Sequence, residues 1–359
     1  MQHFNIFITF ITSLTLVLII LPALKSIASQ LGLVDKPNAR KVHIKPIPVI
    51  GGLAIGATVV LSTLINPFLV SALTKYFIVI GSALILMIIG VLDDKLNLKA
   101  SHRLIIQLLA AYAITASGIR ITSLYGIFGI NELNTFFSYL VSIILITGVV
   151  NSFNLIDGID GLAGFLSIIG LAVFGYNAYR FGDAMLVTIF VTLLGGVIGF
   201  LSHNLSNEKV FLGDGGSLFL GFILVVGGIQ LIQLADQQPS ADVHKTISYV
   251  FGVFLIPVLD SLRVYWVRMQ NGFSPFRADK THVHHLFIFF KISHKKTSII
   301  IALLAITFIS FILVTVNSYG LSSGILSTSM LFILITSLLS SIKNLNEWKS
   351  KVRELEIRD

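Results

Sequence analysis

The chain contains no cysteine, which excludes disulfides, thiolate metal sites and cysteine nucleophiles. Charge is also scarce: 12% of its 359 residues are Asp, Glu, Lys or Arg, against 55% hydrophobic residues. A chain of this length and apolarity does not fit a soluble domain and belongs with polytopic membrane proteins. No Gly-x-x-x-x-Gly-Lys-Ser/Thr stretch occurs, so a nucleotide P-loop is excluded. The apolar runs lack the alternation of a β-barrel, and unpaired backbone groups cannot face lipid, so the spanning form is helical. No repeat of 20–50 residues and no pair of inverted halves stands out. Residues 1–10 carry no Lys or Arg, which argues against a removable signal peptide and predicts a permanent first anchor.

What is present is a series of apolar stretches. Crossing about 30 Å of hydrocarbon takes roughly 20 residues as a helix. Stretches near 4–24, 49–66, 75–92, 104–119, 135–152, 161–180, 184–202, 215–234, 246–266, 297–316 and 322–342 predict an all-α protein of about eleven transmembrane helices. They form one integral-membrane domain, 1–359. The loops 25–48, 93–103, 153–160, 203–214 and 263–296, with the tail 343–359, hold 21 of the 25 Lys and Arg. Basic residues favour the cytoplasmic side, so the N-terminus is expected outside and the C-terminus in the cytoplasm of a plasma membrane. The net charge of +8 follows from this bias and calls for no nucleic acid, although it suits anionic headgroups and phosphorylated substrates. The tail from Asn344 reads as a short solvated helix without chemistry.

The acids sit at the ends of these stretches: Asp93-Asp94, Asp157, Asp160, Asp214 and Asp260. Carboxylates beside hydrocarbon are costly, and a cation or phosphate ligand would justify them. Asp93 and Asp94 point about 100° apart on a helix, so one could hold a cation while the other orients a substrate. Alternatively they form a solvated helix end partnered by Lys95 and Lys99. Asn151 to Gly164 gathers two amides, two acids and three glycines, with Gly158 and Gly161 permitting a tight turn. Asp160 could be a plain N-cap, which leaves Asn154 and Asp157 unexplained. Asp214 lies among glycines and could meet a cation, since Mg²⁺ takes one or two carboxylates plus phosphate oxygens; capping by Asp214 or Ser217 is the plainer alternative.

The loop 263–296 collects Arg268, Arg277, Lys280, His282, His284 and His285. Arg forks and imidazoles suit phosphate oxygens, whereas zinc is disfavoured by the tight spacing and the lack of Cys. His3, His102, His203, His244 and His294 are isolated and read as ordinary interface or loop residues. Arg40, Lys41 and His43, in a proline-flanked loop before Gly51-Gly52, either face a phosphorylated lipid or supply positive-inside charge.

Taken together, these motifs resemble the polyprenyl-phosphate N-acetylhexosamine-1-phosphate transferase family, glycosyltransferase family 4. They are closer to its WecA-like branch than to its MraY-like branch. Asp93-Asp94, the Asn154–Asp157–Asp160 segment, Gly213-Asp214 and the stretch from Arg268 through Ser274-Pro275-Phe276 to His285 follow the family's order. Departures lie at Val49, at His203–Lys209 and at Gly215; they touch substrate preference and spare the acids.

The resemblance implies transfer of N-acetylhexosamine 1-phosphate from a UDP-sugar, UDP-GlcNAc above others, to undecaprenyl phosphate. UMP would be released, and the lipid-linked product would initiate a cell-envelope polysaccharide. It implies a Mg²⁺ cofactor, with Mn²⁺ as substitute, on Asp214 with Asp93 or Asp94, the other of that pair orienting or deprotonating the lipid phosphate. Asp157 and Asp160 join the catalytic acids, and with Asn154 they would hold the nucleotide or metal. Arg268, His282, His284 and His285 would grip the donor. Membrane lipid and a second copy in a homodimer are the other expected partners. The competing class is a secondary transporter for an anionic solute, which places its ionisable groups near mid-membrane on broken helices.

Overall fold

A computed structural model describes residues 2–35, 46–239, 242–274 and 281–356. The helices run in order as α1 (Gln2–Leu31), α2 (Gly51–Ser62), α3 (Pro67–Lys75), α4 (Phe77–Leu96), α5 (Ala100–Ala116), α6 (Thr135–Ile156) and α7 (Leu162–Arg180). They continue as α8 (Ala184–Asn204), α9 (Gly213–Asp236), α10 (Val243–Gln270), α11 (Val283–Phe289), α12 (His294–Tyr319) and α13 (Leu321–Glu356). Among the described residues, nine helices are long and apolar enough to cross a membrane: α1, α4, α6 to α10, α12 and α13. The protein is a multi-pass helical membrane bundle, as its composition requires.

The expected span at 49–66 does not form as one helix. It stops after Ser62, and Asn66 accepts the Phe68 N–H to cap α3, which begins on Pro67. Pro at a helix start forfeits only an N–H that is orphaned there anyway. α2 has 12 residues, about 18 Å of helix, short of the roughly 30 Å a crossing needs. The tail also departs from expectation. It continues the last apolar helix without a break, giving α13 its 36 residues.

Two short antiparallel pairs complete the fold. β1 (Val34–Asp35) meets β2 (Ile47–Pro48), and β3 (Ser123–Ile127) meets β4 (Ile130–Glu132). The first pair leads α2 onto the start of α9: Phe211 N–H donates to Pro48 O, Gly51 N–H to Phe211 O and Gly52 N–H to Leu212 O.

α9 is the centre of the bundle, with side chains from Leu218 to Val226 buried throughout. Its polar start is where α2 and α4 come closest. A Cβ on Gly52 would strike the Gly216 backbone, and one on Gly90 the Asp214–Gly215 backbone. Gly213 has φ +77°, a left-handed conformation that costs glycine nothing. The run Gly213-Asp214-Gly215-Gly216 is therefore set by helix packing, whereas the sequence suggests room for a cation.

Candidate functional site

Three helix ends deliver the acids to one end of the bundle. Asp93 and Asp94 occupy the last turn of α4, Asp157 and Asp160 the turn between α6 and α7, and Asp214 the first turn of α9. Asp94 accepts the N–H groups of Asp214 at 3.1 Å and Gly215 at 3.4 Å, taking donors that a helix start leaves without partners. Asp214 accepts from Asn154 Nδ2 at 2.9 Å and Arg103 Nη1 at 2.7 Å. Asn154 also donates to Ser217 Oγ at 2.9 Å. The plain cap at Asp214 is thereby excluded, since its carboxylate turns to α5 and α6 instead of its own helix start.

Asp93 is tied differently from its neighbour. Its Oδ1 accepts the Leu98 N–H at 2.7 Å and its Oδ2 the Arg103 guanidinium at 2.5 Å. Lys95 and Lys99, the expected local partners, are not what holds it. Of the pair, Asp94 faces Asp214 across the α4–α9 contact, and Asp93 shares Arg103 with Asp214.

Asp157 makes no side-chain hydrogen bond or ion pair among the described residues. Burial, then the charges of Asp214, Asp94 and Asp160, push its carboxyl up to about 8. Asp214 and Asp94 are thus near enough for their charges to act on Asp157. Asp160 stands apart. Burial raises its carboxyl, but hydrogen bonds from His294 and Lys209, with the Lys209 charge, outweigh burial and hold it below the ordinary value. It is ion-paired to Lys209, with His294 Nδ1 at 3.6 Å, and Ser298 Oγ donates to its backbone oxygen at 2.7 Å. It is no N-cap either, because Gly161 occupies that place on α7 with φ +82°.

The histidines line up on α11. His282 and His284 stack with ring centroids 5.8 Å apart and 4° between planes, and His285 lies 4.3 Å from His284. His284 is only 2% exposed, and its ring lies against Gly158, where a Cβ would be 2.5 Å from Nε2. Burial, with the charges of His285 and His282, lowers its imidazole to about 3, so it is neutral, and its buried Nδ1 has no hydrogen-bond partner among the described residues. Arg268 is buried on α10 with its guanidinium 6.0 Å from the Tyr265 ring centre. Arg40, Lys41, His43, Arg277 and Lys280 lie outside the described residues.

Three partners went unrecognised in the sequence. Arg103 had a faint signal, since a cation near the N-terminus of α5 opposes the helix dipole and needs a local acid. Lys209 and His294 had none, because Lys209 lies 49 positions and His294 134 positions from Asp160 along the chain. His294, read as an ordinary loop residue, is corrected to a partner of Asp160.

The donor set is carboxylate oxygen with one amide, which suits a hard cation such as Mg²⁺ and not a soft one. Among the described residues, no three acid or imidazole side chains stand as a ready cage for an ion. One or two of Asp94, Asp157 and Asp214 would therefore supply the protein's share, with phosphate oxygens and water the remainder. The clustered repulsion at Asp157 is what a divalent cation would relieve.

The profile of "Glycosyl transferase family 4" matches residues 76–232, a stretch that holds Asp93, Asp94, Asn154, Asp157, Asp160 and Asp214. The chain is 32% identical to the "Probable undecaprenyl-phosphate N-acetylglucosaminyl 1-phosphate transferase" of Bacillus subtilis, over 95% of this chain and 93% of that one. It is 31% identical to the "Undecaprenyl-phosphate alpha-N-acetylglucosaminyl 1-phosphate transferase" of Haemophilus influenzae, over 88% of this chain and 86% of that one. It is 28% identical to the "Decaprenyl-phosphate N-acetylglucosaminephosphotransferase" of Mycolicibacterium smegmatis, over 77% and 74%.

Proposed function

The chain belongs to glycosyl transferase family 4, and from that premise we propose that it transfers N-acetylhexosamine 1-phosphate from a UDP-sugar to undecaprenyl phosphate, releasing UMP. UDP-GlcNAc is the donor favoured by the names of its relatives. The observation that carries this reading is the meeting of Asp94 and Asp214 with Asn154 and Arg103 at one end of the bundle, near enough to Asp157 for the acids' charges to raise its carboxyl. A transporter would place such groups at mid-membrane. A site at the membrane edge suits a water-soluble donor and an acceptor whose tail stays in lipid. The basic residues of loops 25–48 and 263–296 support a cytoplasmic face for that edge in a bacterial plasma membrane, and the product would initiate an envelope polysaccharide.

The chemistry joins an anionic phosphate oxygen to a phosphorus atom that already carries negative charge. When bound, Mg²⁺ held by Asp214 with Asp94 or Asp157 would neutralise the diphosphate. The chain's own residues supply position. Asn154 donates its amide to Asp214 Oδ1 and holds that carboxylate in place. Arg103 fixes Asp93 against Asp214 and brings a positive charge between the two carboxylates. Asp157, which has no side-chain partner among the described residues, is the group free to orient the acceptor. A phosphomonoester has its second pKa near 6 and is already mostly dianionic at pH 7, so orientation and charge neutralisation contribute more than proton removal. Asp160, held by Lys209 and His294, shapes the loop that bears Asp157. Arg268, His282 and His285 stand on the α10–α11 side to receive the donor, with His284 packed beneath them.

The test is incubation of purified protein with undecaprenyl phosphate, Mg²⁺ and a panel of UDP-sugars, with the lipid product identified by mass. Asp214→Asn should abolish UMP release while the protein still inserts. Flux of a solute across proteoliposomes with no UMP formed would replace this reading with the transporter.

A further inference from the structure

Among the described residues Asp260 is the most deeply buried acid, at 0% exposure, and the mechanism above leaves it unused. It stands on α10 and faces the start of α11. Its Oδ2 accepts from His282 Nδ1 at 2.8 Å, and both oxygens accept the Val283 N–H, at 3.0 and 3.1 Å. Arg263 Nη2 donates to its Oδ1 at 2.8 Å and to the Thr281 carbonyl at 2.6 Å, binding the chain on the other side of His282. Both carboxylate oxygens are thereby satisfied, as a buried charge requires.

We propose that Asp260 is a positioning residue for donor binding, acting through His282; this rests on the transfer reading above. An ionised carboxylate can only accept, so it fixes the proton of His282 on Nδ1. Nε2 is then the atom left for a ligand, and the ring cannot rotate without breaking the Asp260 contact. A carboxylate behind an imidazole sets tautomer and orientation in this way, and the loss of such a partner disables the ring while the fold survives. The same contact seats Val283 and His284, and so lays the His284 ring on Gly158 in the loop that carries Asp157. One buried acid on α10 thus joins the histidine segment to the loop that carries Asp157.

The test is a double-mutant cycle on Asp260→Asn and His282→Asn. The dissociation constant for UDP-GlcNAc is measured by calorimetry, alongside UMP release and thermal midpoint. His282→Asn places an amide near the Nδ1 position, keeping Asp260 partnered while removing Nε2. Each single variant should weaken donor binding about 10- to 100-fold, the range seen when a residue that orients a ligand-binding side chain is lost. Asp260→Asn should add less than about twofold in the His282→Asn background, because residues acting as one unit are not additive. Multiplied losses in the double variant, or wild-type binding in Asp260→Asn, would overturn the proposal. So would an Asp260→Asn protein that fails to accumulate while His282→Asn accumulates normally, since Asp260 would then be a structural anchor only. A wild-type protein that binds donor yet releases no UMP would instead sink the transfer reading, and the binding cycle would still judge Asp260.

Discussion

Substituting Gly90 by Ala should push apart the two helices that carry the acids. Gly90 lies on α4 one turn before Asp93 and Asp94, facing the first turn of α9. A Cβ there would sit 2.5 Å from the Asp214 carbonyl carbon and from Gly215 Cα, where ordinary contact begins at 3.4 Å. The obstacle is backbone, which cannot swing aside as a side chain can, so α4 and α9 must separate by about 1 Å. A misplacement of about 1 Å at a reacting centre costs on the order of 100-fold in rate, and overpacking of this kind costs about 1–3 kcal/mol of stability. Gly81→Ala is the matched control, being on the same helix with nothing within 4 Å of its Cβ. UMP release at saturating donor and acceptor, with thermal midpoints in detergent, distinguishes the two. Gly90→Ala should lose about two orders of magnitude in turnover while Gly81→Ala matches the parent. Full turnover in Gly90→Ala would show that the α4–α9 approach does not set the acid geometry, and the reasoning would be wrong.

Arg103→Met should lower UMP release by at least about tenfold, since the cation between Asp93 and Asp214 is lost; Arg103→Lys, measured in the same assay, should recover part of it. Chelation of divalent ions should abolish UMP release and added Mg²⁺ or Mn²⁺ restore it; release unaffected by chelator would remove the metal from the mechanism. At the opposite end of the bundle, Asp183 caps α8 and accepts from Lys75 at 2.6 Å and Tyr76 at 2.7 Å. Burial raises its carboxyl, but the bonds from Lys75, Leu186 N–H and Tyr76 outweigh burial and hold it below 3.8. Its contribution to stability is therefore complete above pH 3.8 and is lost as pH falls through the lowered folded value. Melting curves of Asp183→Asn should begin lower than those of the parent at neutral pH and show a smaller further drop in acid.

The amino-acid order alone determined the broad character of this protein. Long apolar runs without alternation dictate membrane helices, because a backbone in hydrocarbon must satisfy its own hydrogen bonds. Acids at the ends of those runs mark the proposed site, because an unneeded carboxylate beside lipid is too costly to keep. Local order also carries the turn at Gly158–Gly161 and the histidines of α11. It misjudged 49–66, where hydropathy reads as a span but a cap at Asn66 breaks it; it had the tail as solvated helix but not that this helix continues the last apolar one.

Which partner each acid takes was decided only by the tertiary structure. Arg103 reaches Asp214 across 111 positions, Lys209 reaches Asp160 across 49, and Asp260 reaches His282 across 22. Such pairings depend on how helices cross, and periodicity within one helix carries no information about the face of another. The glycines beside Asp214 make the same point. Their composition suggests open space for an ion, yet they are small because two other helices press against them. Packing density in the bundle, a property of all its helices at once, chose those residues and brought the acids together.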